Sequence, residues 1–309
     1  MKLLNKLLLT LGLVGTISVL PSCKSVDTTG VTIILPNGTP TLALGTLINE
    51  VEEEVVTDPT LLQTALITKQ TDLVIAPLTA GTNLFLKGKS KYMVEAIITT
   101  NNAYLVSRGN NELTPENLQG KSIVGFQETN TPGIMLKSYL EKENINAETQ
   151  FEANVNASVN AFKTGLCEYA VVAEPQLTSL ETQYTDLNIL NLGDELCEGK
   201  NDFVPQAAIF VNPDSKDDED VKAFLKKLEK NINTLNTKPE KYAEELISSE
   251  IPFFSTYKVE TLKVALPRCN LAYKKASENK ESIENFYDNC DKYVNNMFQG
   301  VKPSEEFYN

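Results

Sequence analysis

The chemistry legible in this chain sits in short polar stretches that directly follow apolar runs. Asn37-Gly38-Thr39 follows the run at 31–35, Thr79 follows 72–76, and Asn101-Asn102 follows 93–99. Asn130 and Thr131 follow 122–126 within the stretch 127–132, and Glu174 closes the run at 168–173. Amide and hydroxyl side chains beside free backbone N–H groups coordinate a carboxylate, a sulfonate or a carbonyl without making or breaking bonds. Gly38 allows close backbone approach, and Pro40 and Pro132 preset helix starts. Glu174 could accept from an amine or a ring N–H, or could cap its own helix. Arg108, one of two arginines, could hold a ligand carboxylate bidentately or make a surface ion pair. The other loops carry no Lys or Arg, which disfavours a multiply anionic ligand. The chain has no histidine, so Ser-His-Asp triads, His-containing zinc sites and His general bases are excluded. The candidate ligand-binding set is Asn37, Gly38, Thr39, Thr79, Asn102, Asn130, Thr131, Glu174 and Arg108. No catalytic residue, metal or cofactor is expected.

The elements that must position these residues alternate along the chain. Apolar runs at 31–35, 72–76, 93–99 and 103–107 read as strands, with helices over 41–49, 61–69 and 80–86. Asp58 is a candidate N-cap with Pro59 at the first helical position. After a turn-rich linker at 111–120, strands at 122–126, 150–153, 168–173 and 187–192 alternate with helices over 131–143, 157–164 and 174–183. A strand at 206–211 follows, and everything after Asp217 reads as helical. Repeated strand–turn–helix units of this length predict an α/β architecture with a largely parallel sheet. The tail predicts two helices, 268–277 and 281–298, turning near Asn279 as a hairpin that would place Cys269 opposite Cys290. Tyr104, Phe126 and Phe151 could stack a ligand ring or simply pack the core.

The chain has 309 residues, enough for two domains of ~150 residues. Apolar residues make up 41% and charged residues 22%, ordinary values for a globular protein. A net charge of −13 argues against nucleic acid as a partner. Lys2 and Lys6 precede an uncharged apolar run at 7–20, shorter than the ~20 residues a bilayer span needs and suited to a signal-peptide core. Leu20-Pro21-Ser22-Cys23 resembles the lipobox of bacterial lipoproteins, which implies a signal peptide over 1–22, lipidation at Cys23 and a tether over 23–30. The alternative is an ordinary secretory peptide. Cys167, Cys197, Cys269 and Cys290 remain, an even number that permits two disulfides in an exported chain. Proximity in sequence favours Cys167–Cys197 and Cys269–Cys290; buried free thiols are the other reading.

The repeating units resemble the substrate-binding proteins of bacterial ABC importers, in the branch that includes nitrate, sulfonate and thiamine-precursor binders. Leu118-Gln119-Gly120-Lys121-Ser122-Ile123-Val124-Gly125 is similar to that family's "dLkGKkvgv" entry into its second domain. The stretch from Gly165 to Pro175 resembles its "GevDaa...eP" segment, with Cys167-Glu168-Tyr169-Ala170 in place of the acidic-Ala pair. Gln70–Pro77 resembles its "g..Di...p". The resemblance implies a two-lobed α/β fold of the periplasmic-binding-protein type II class with a C-terminal helical extension. Lobe one would comprise 31–106 plus 207–309 and lobe two 107–206, with crossovers near 106–109 and 204–206. It also implies a monomeric, lipid-anchored receptor on the extracytoplasmic face of the membrane. Such a receptor closes on a small-molecule ligand and delivers it to an ABC permease. A surface sensor or adhesin on the same fold, and an enzyme using Cys167 or Cys197, are the alternatives.

Overall fold

Short aliphatic and β-branched runs make the inner strands, while the edge strands are more polar. In chain order they are β1 (Thr32–Pro36), β2 (Glu52–Val56), β3 (Leu73–Pro77), β4 (Met93–Thr99), β5 (Tyr104–Arg108) and β6 (Ser122–Phe126). There follow β7 (Glu148–Glu152), β8 (Tyr169–Val172), β9 (Leu187–Asn191), β10 (Ala207–Val211) and β11 (Leu271–Lys275). This computed structural model describes residues 26–199 and 202–309; the expected signal peptide at 1–22 and lipidation site Cys23 lie outside the described residues. The strands form two sheets, β11-β4-β10-β3-β1-β2 in lobe one and β7-β6-β8-β5-β9 in lobe two.

Neither sheet is uniformly parallel. The β1, β2 and β3 strands are parallel, as are β6, β7 and β8, but β10 runs against β3 and β4, and β5 runs against β8 and β9. β5 and β10 are the strands by which the chain enters one lobe directly from the other. Neither is preceded by a helix folding back over its own sheet, which is what parallel entry requires. The sheet of lobe one is covered on both faces, so its strands read as continuous apolar runs. Leu35, Phe224, Leu228 and Leu266 pack one face, under the helices Glu219–Thr237 and Val259–Arg268. Ile34, Val74, Phe210 and Phe286 pack the other, under Pro59–Thr68 and Lys280–Tyr293. Asp58 does cap the helix Pro59–Thr68, its Oδ1 accepting from Thr60 N at 2.9 Å.

Three expectations are corrected, and one strand appears where none was expected. First, β5 belongs to the second sheet, so the first crossing lies at 100–102 rather than at 106–109. The unexpected strand is β2, which contains Glu52-Glu53-Glu54; it is an edge strand, and its exposed carboxylates keep other strand edges from pairing with it. Second, residues 271–275 are the opposite edge strand, paired antiparallel with β4, and the terminal hairpin of two helices does not form. The C-terminal extension is instead β11, the helix Lys280–Tyr293 and a tail whose Tyr308 bridges to Val94. Third, the cysteines are unpaired: Cys269 and Cys290 pack opposite faces of sheet one, and Cys167 and Cys197 are likewise free. The end of the expected tether is also part of the fold, since Thr28 is buried and accepts from Lys227 Nζ at 3.1 Å.

Apart from Cys23, all four thiols should be alkylated after unfolding in guanidinium without reductant. The melting temperature should be the same with and without dithiothreitol. A reductant-dependent fall of several degrees would show a stabilising disulfide that this fold does not contain.

Candidate functional site

The C-terminal ends of the parallel strands in the two sheets face each other, and the crossing segments pass between them. At the end of β1, Gly38 has φ +119°, which a glycine tolerates and an L side chain rarely adopts, while a Cβ there would meet nothing within 4 Å. Asn37 is exposed at the mouth and Thr39 opens the helix Thr39–Leu44. At the end of β3, Leu78 N donates to Gln206 O at 2.8 Å, tying the start of the helix Leu78–Leu86 to the second crossing. In lobe two, Asn130 is the N-cap residue of the helix Thr131–Lys142, yet its side chain makes no capping bond. Instead its Oδ1 accepts from Thr79 Oγ1 at 3.1 Å, joining the helix starts of the two lobes. Thr131 Oγ1 donates to Pro205 O at 3.1 Å. Gly133 is required here because a Cβ would lie 2.5 Å from the Glu128 carbonyl oxygen.

Asn102 is the junction of the site. Its backbone N donates to Gln206 Oε1 at 2.7 Å and its carbonyl accepts from Gln206 Nε2 at 3.2 Å, which ties the two crossings together. Its side-chain oxygen accepts from Glu174 N at 2.8 Å, and its Nδ2 donates to Thr39 Oγ1 at 3.2 Å and Glu174 O at 3.4 Å. Thr39 Oγ1 in turn donates to Glu174 O at 3.1 Å. A single residue therefore connects lobe one, lobe two and both crossings. The neighbouring Asn101 adds bonds to Val204 N and Asp194, and its close approach to Gly193 leaves no room for a side chain there.

Of the nine expected ligand residues, eight gather here and one does not. Arg108 lies at the far end of β5, its guanidinium stacked 4.6 Å from the Tyr184 ring and 5.3 Å from Phe162. β5 belongs to lobe two and leads away from the crossing, so its last residue is carried off the cleft. The arginine at the site is Arg268, which sequence reasoning did not select. It ends the helix Val259–Arg268, and Nη2 donates to Thr178 Oγ1 at 2.6 Å and to Glu181. Arg268 Nε lies 2.7 Å from Glu174 Oε1 but off the line of a hydrogen bond, so that contact is electrostatic. Nothing local marked Arg268, because its partners lie some ninety positions away in the chain. Tyr104 likewise donates to Arg268 O at 2.6 Å, while Phe126 and Phe151 pack the core of lobe two.

Glu174 therefore does not present its carboxylate to a ligand. The carboxylate caps the helix Gln176–Glu181, accepting from Thr178 N at 3.1 Å and Thr178 Oγ1 at 3.0 Å, and faces Arg268. Glu174 is only 1% exposed. Burial pushes its pKa up from 4.5 to about 6, outweighing the opposing pull of Arg268 and Thr178. What the cleft receives from Glu174 is its backbone carbonyl.

Two mixed α/β sheets joined by two crossings, with polar strand ends meeting between them, define the two-lobed periplasmic-binding-protein type II fold. Within it, the family model described as NMT1/THI5 like matches residues 50–242, more than half of the chain, and the chain belongs to that family. An ABC transporter structure from Parabacteroides distasonis is similar over 91% of this chain and 99% of its own, with a TM-score of 0.76 at 21% identity. The periplasmic aliphatic sulphonate binding protein SsuA of Escherichia coli is similar over 87% of each chain, with a TM-score of 0.68 at 14% identity. The alkanesulfonate-binding protein SsuA of Xanthomonas axonopodis pv. citri, bound to MOPS, covers 88% of this chain and 96% of its own, with a TM-score of 0.62 at 14% identity. No curated protein matches the sequence.

Two predictions follow from the geometry. Asn102→Ala leaves the buried Glu174 N–H without a partner and should cost about 1–3 kcal/mol in chemical denaturation; a loss below a few tenths would mean that the amide does not join the lobes. Because Glu174 binds its proton more tightly folded than unfolded, stability should fall as pH rises from about 4.5 to 6 and then level off. The span is on the order of 2 kcal/mol. Glu174→Gln should remove that slope, while Arg268→Gln should carry it to higher pH.

Proposed function

We propose that this protein is a lipid-anchored solute receptor that closes on a small ligand and presents it to an ABC permease. The observation that carries this reading is the pair of contacts between lobes, Thr79–Asn130 and Thr39–Glu174, made by residues at the strand ends. Side chains that bond each other when the lobes meet are the ones a ligand between the lobes would engage. Separation about the crossings at 100–102 and 204–206 exposes them; closure over a ligand buries it.

The ligand class follows from the same residues. The starts of the helices Leu78–Leu86 and Thr131–Lys142 approach the same point from opposite lobes, each offering the positive end of its dipole. Thr79, Asn130, Thr131 and Asn102 add neutral donors and acceptors, and the charge of Arg268 is already met by two carboxylates. Such a site fits a small ligand with one anionic group, a sulfonate or a carboxylate, and the sulfonate binders among the similar structures support that choice. No covalent step is proposed. Burial raises the Cys167 thiol to about 11 and also raises Cys197, so neither is a ready nucleophile. Anchoring through Cys23, docking on a permease and a monomeric state complete the proposal. Among the described residues, no helix is long and apolar enough to cross a membrane.

In a thermal-shift panel of sulfonates, nitrate, thiamine precursors, riboflavin, amino acids and short peptides, a monoanionic compound should raise the melting temperature saturably. At 100 times its dissociation constant the gain is about 2.7 kcal/mol. Asn130→Ala and Thr79→Val should abolish the shift and Arg108→Gln should retain it; a shift insensitive to Asn130 and Thr79 would place the ligand elsewhere. Cys23→Ser should move the protein from the membrane fraction to the soluble fraction, and retention at the membrane would overturn the anchor.

A further inference from the structure

The family match ends at residue 242, and two groups of contacts onto lobe two come from residues beyond it. The first is Arg268, which reaches Glu174, Thr178 and Glu181, while Asn270 Nδ2 donates to Asn101 O at 3.3 Å and Tyr104 Oη at 3.2 Å. The second lies at the end of the helix Lys280–Tyr293. Lys292 Nζ pairs with Glu141 at 2.5 Å, Tyr293 Oη donates to Glu141 Oε2 at 2.7 Å, and Lys137 Nζ donates to Tyr293 O at 3.4 Å. Glu141 and Lys137 belong to the helix Thr131–Lys142, the helix whose start forms the cleft.

We propose that the segment 243–309 is a two-point clasp that sets how readily the lobes part. The proposal rests on the reading that they open and close. The two points differ in character. Glu174 and Thr178 are buried, so the Arg268 point is shielded from salt. Lys292 and Glu141 are about half exposed, so their pair is weak and screened. Behind this outer point the seam between the helices is only partly packed: Ile134 of lobe two is buried in the apolar cluster of Phe286, and beside it lies a cavity of about 460 Å³ lined by Met135 and Ser138 of lobe two and Asn289 and Tyr293 of lobe one. A packed apolar seam there would fix the lobes, because parting it would expose core surface to water. A polar strut beside a cavity, with Ile134 buried next to it, releases at less cost than a continuous apolar seam would. The segment thus holds the helix Thr131–Lys142 at its far end while leaving its start free to follow a ligand.

Hydrogen–deuterium exchange on the ligand-free protein tests this without any ligand. The double variant Arg268→Gln, Lys292→Gln should speed exchange at 37–42, 130–135 and 174–178 by about tenfold, with β1 and β6 at wild-type rates. Wild-type rates in those three segments would overturn the clasp. Should the double variant loosen the whole fold, Glu141→Gln and Glu181→Gln test the same two points from lobe two. They should speed the same segments, and their failure to do so would equally overturn it. If the segments loosen but no compound shifts the melting temperature, the clasp stands and the transport reading falls.

Discussion

The arrangement of both lobes hangs on the side-chain amide of Asn102. An amide side chain donates and accepts from a single planar group, and here both functions are used at once. The oxygen takes the Glu174 N–H, and the nitrogen serves Thr39 and the Glu174 carbonyl. Asn102 is buried, so each lost bond would leave a partner without water to replace it. With its backbone bonded twice to Gln206, the residue fixes the crossings side by side and sets where the strand ends of the two sheets meet. Aspartate, isosteric but without donors, would turn an anion towards the Glu174 carbonyl.

Charge is handled differently. A chain with net charge −13 places one of its two arginines between two carboxylates at the lobe boundary, and the other against two aromatic rings far from the cleft. Burial of Glu174 costs more than Arg268 returns, which is why its pKa rises rather than falls. The cluster is thus a positional device more than a stabilising one: it aligns Thr178, Glu181 and the end of the helix Val259–Arg268, at some cost in stability near neutral pH.

Much of this was legible in the sequence where burial is two-sided. β1, β3, β6, β8 and β10 are apolar runs with turn residues at their ends, and the polar residues just beyond them converge because strand ends in one sheet converge. The family segment around Gly120-Lys121 added the two-lobed arrangement. What could not be read was set by partners distant in the chain. Glu52-Glu53-Glu54 looks like no strand, because an edge strand with an exposed row needs only backbone bonds to β1. Leu271-Ala272-Tyr273-Lys274-Lys275 sits between helical stretches and is a strand only because β4 has an open edge, with Tyr273 bonding to Glu95 at 2.9 Å. That strand puts sheet one between Cys269 and Cys290, so nearness in sequence misled. Arg108 and Arg268 were told apart only by the position of β5, which moved the first crossing to 100–102 and took Arg108 out of the cleft.

We propose that the contact between the lobes through Thr39, Thr79, Asn102 and Asn130 is the arrangement a bound ligand would hold, with a hinge at the crossings. Small-angle X-ray scattering on the chain from residue 26, with and without a saturating compound from the thermal-shift panel, tests it most directly. The radius of gyration should be smaller with the compound, and the scattering curve should then match the structure described above. Superimposable curves at saturation would contradict it, because the lobes would then be fixed relative to each other whether or not a ligand is bound.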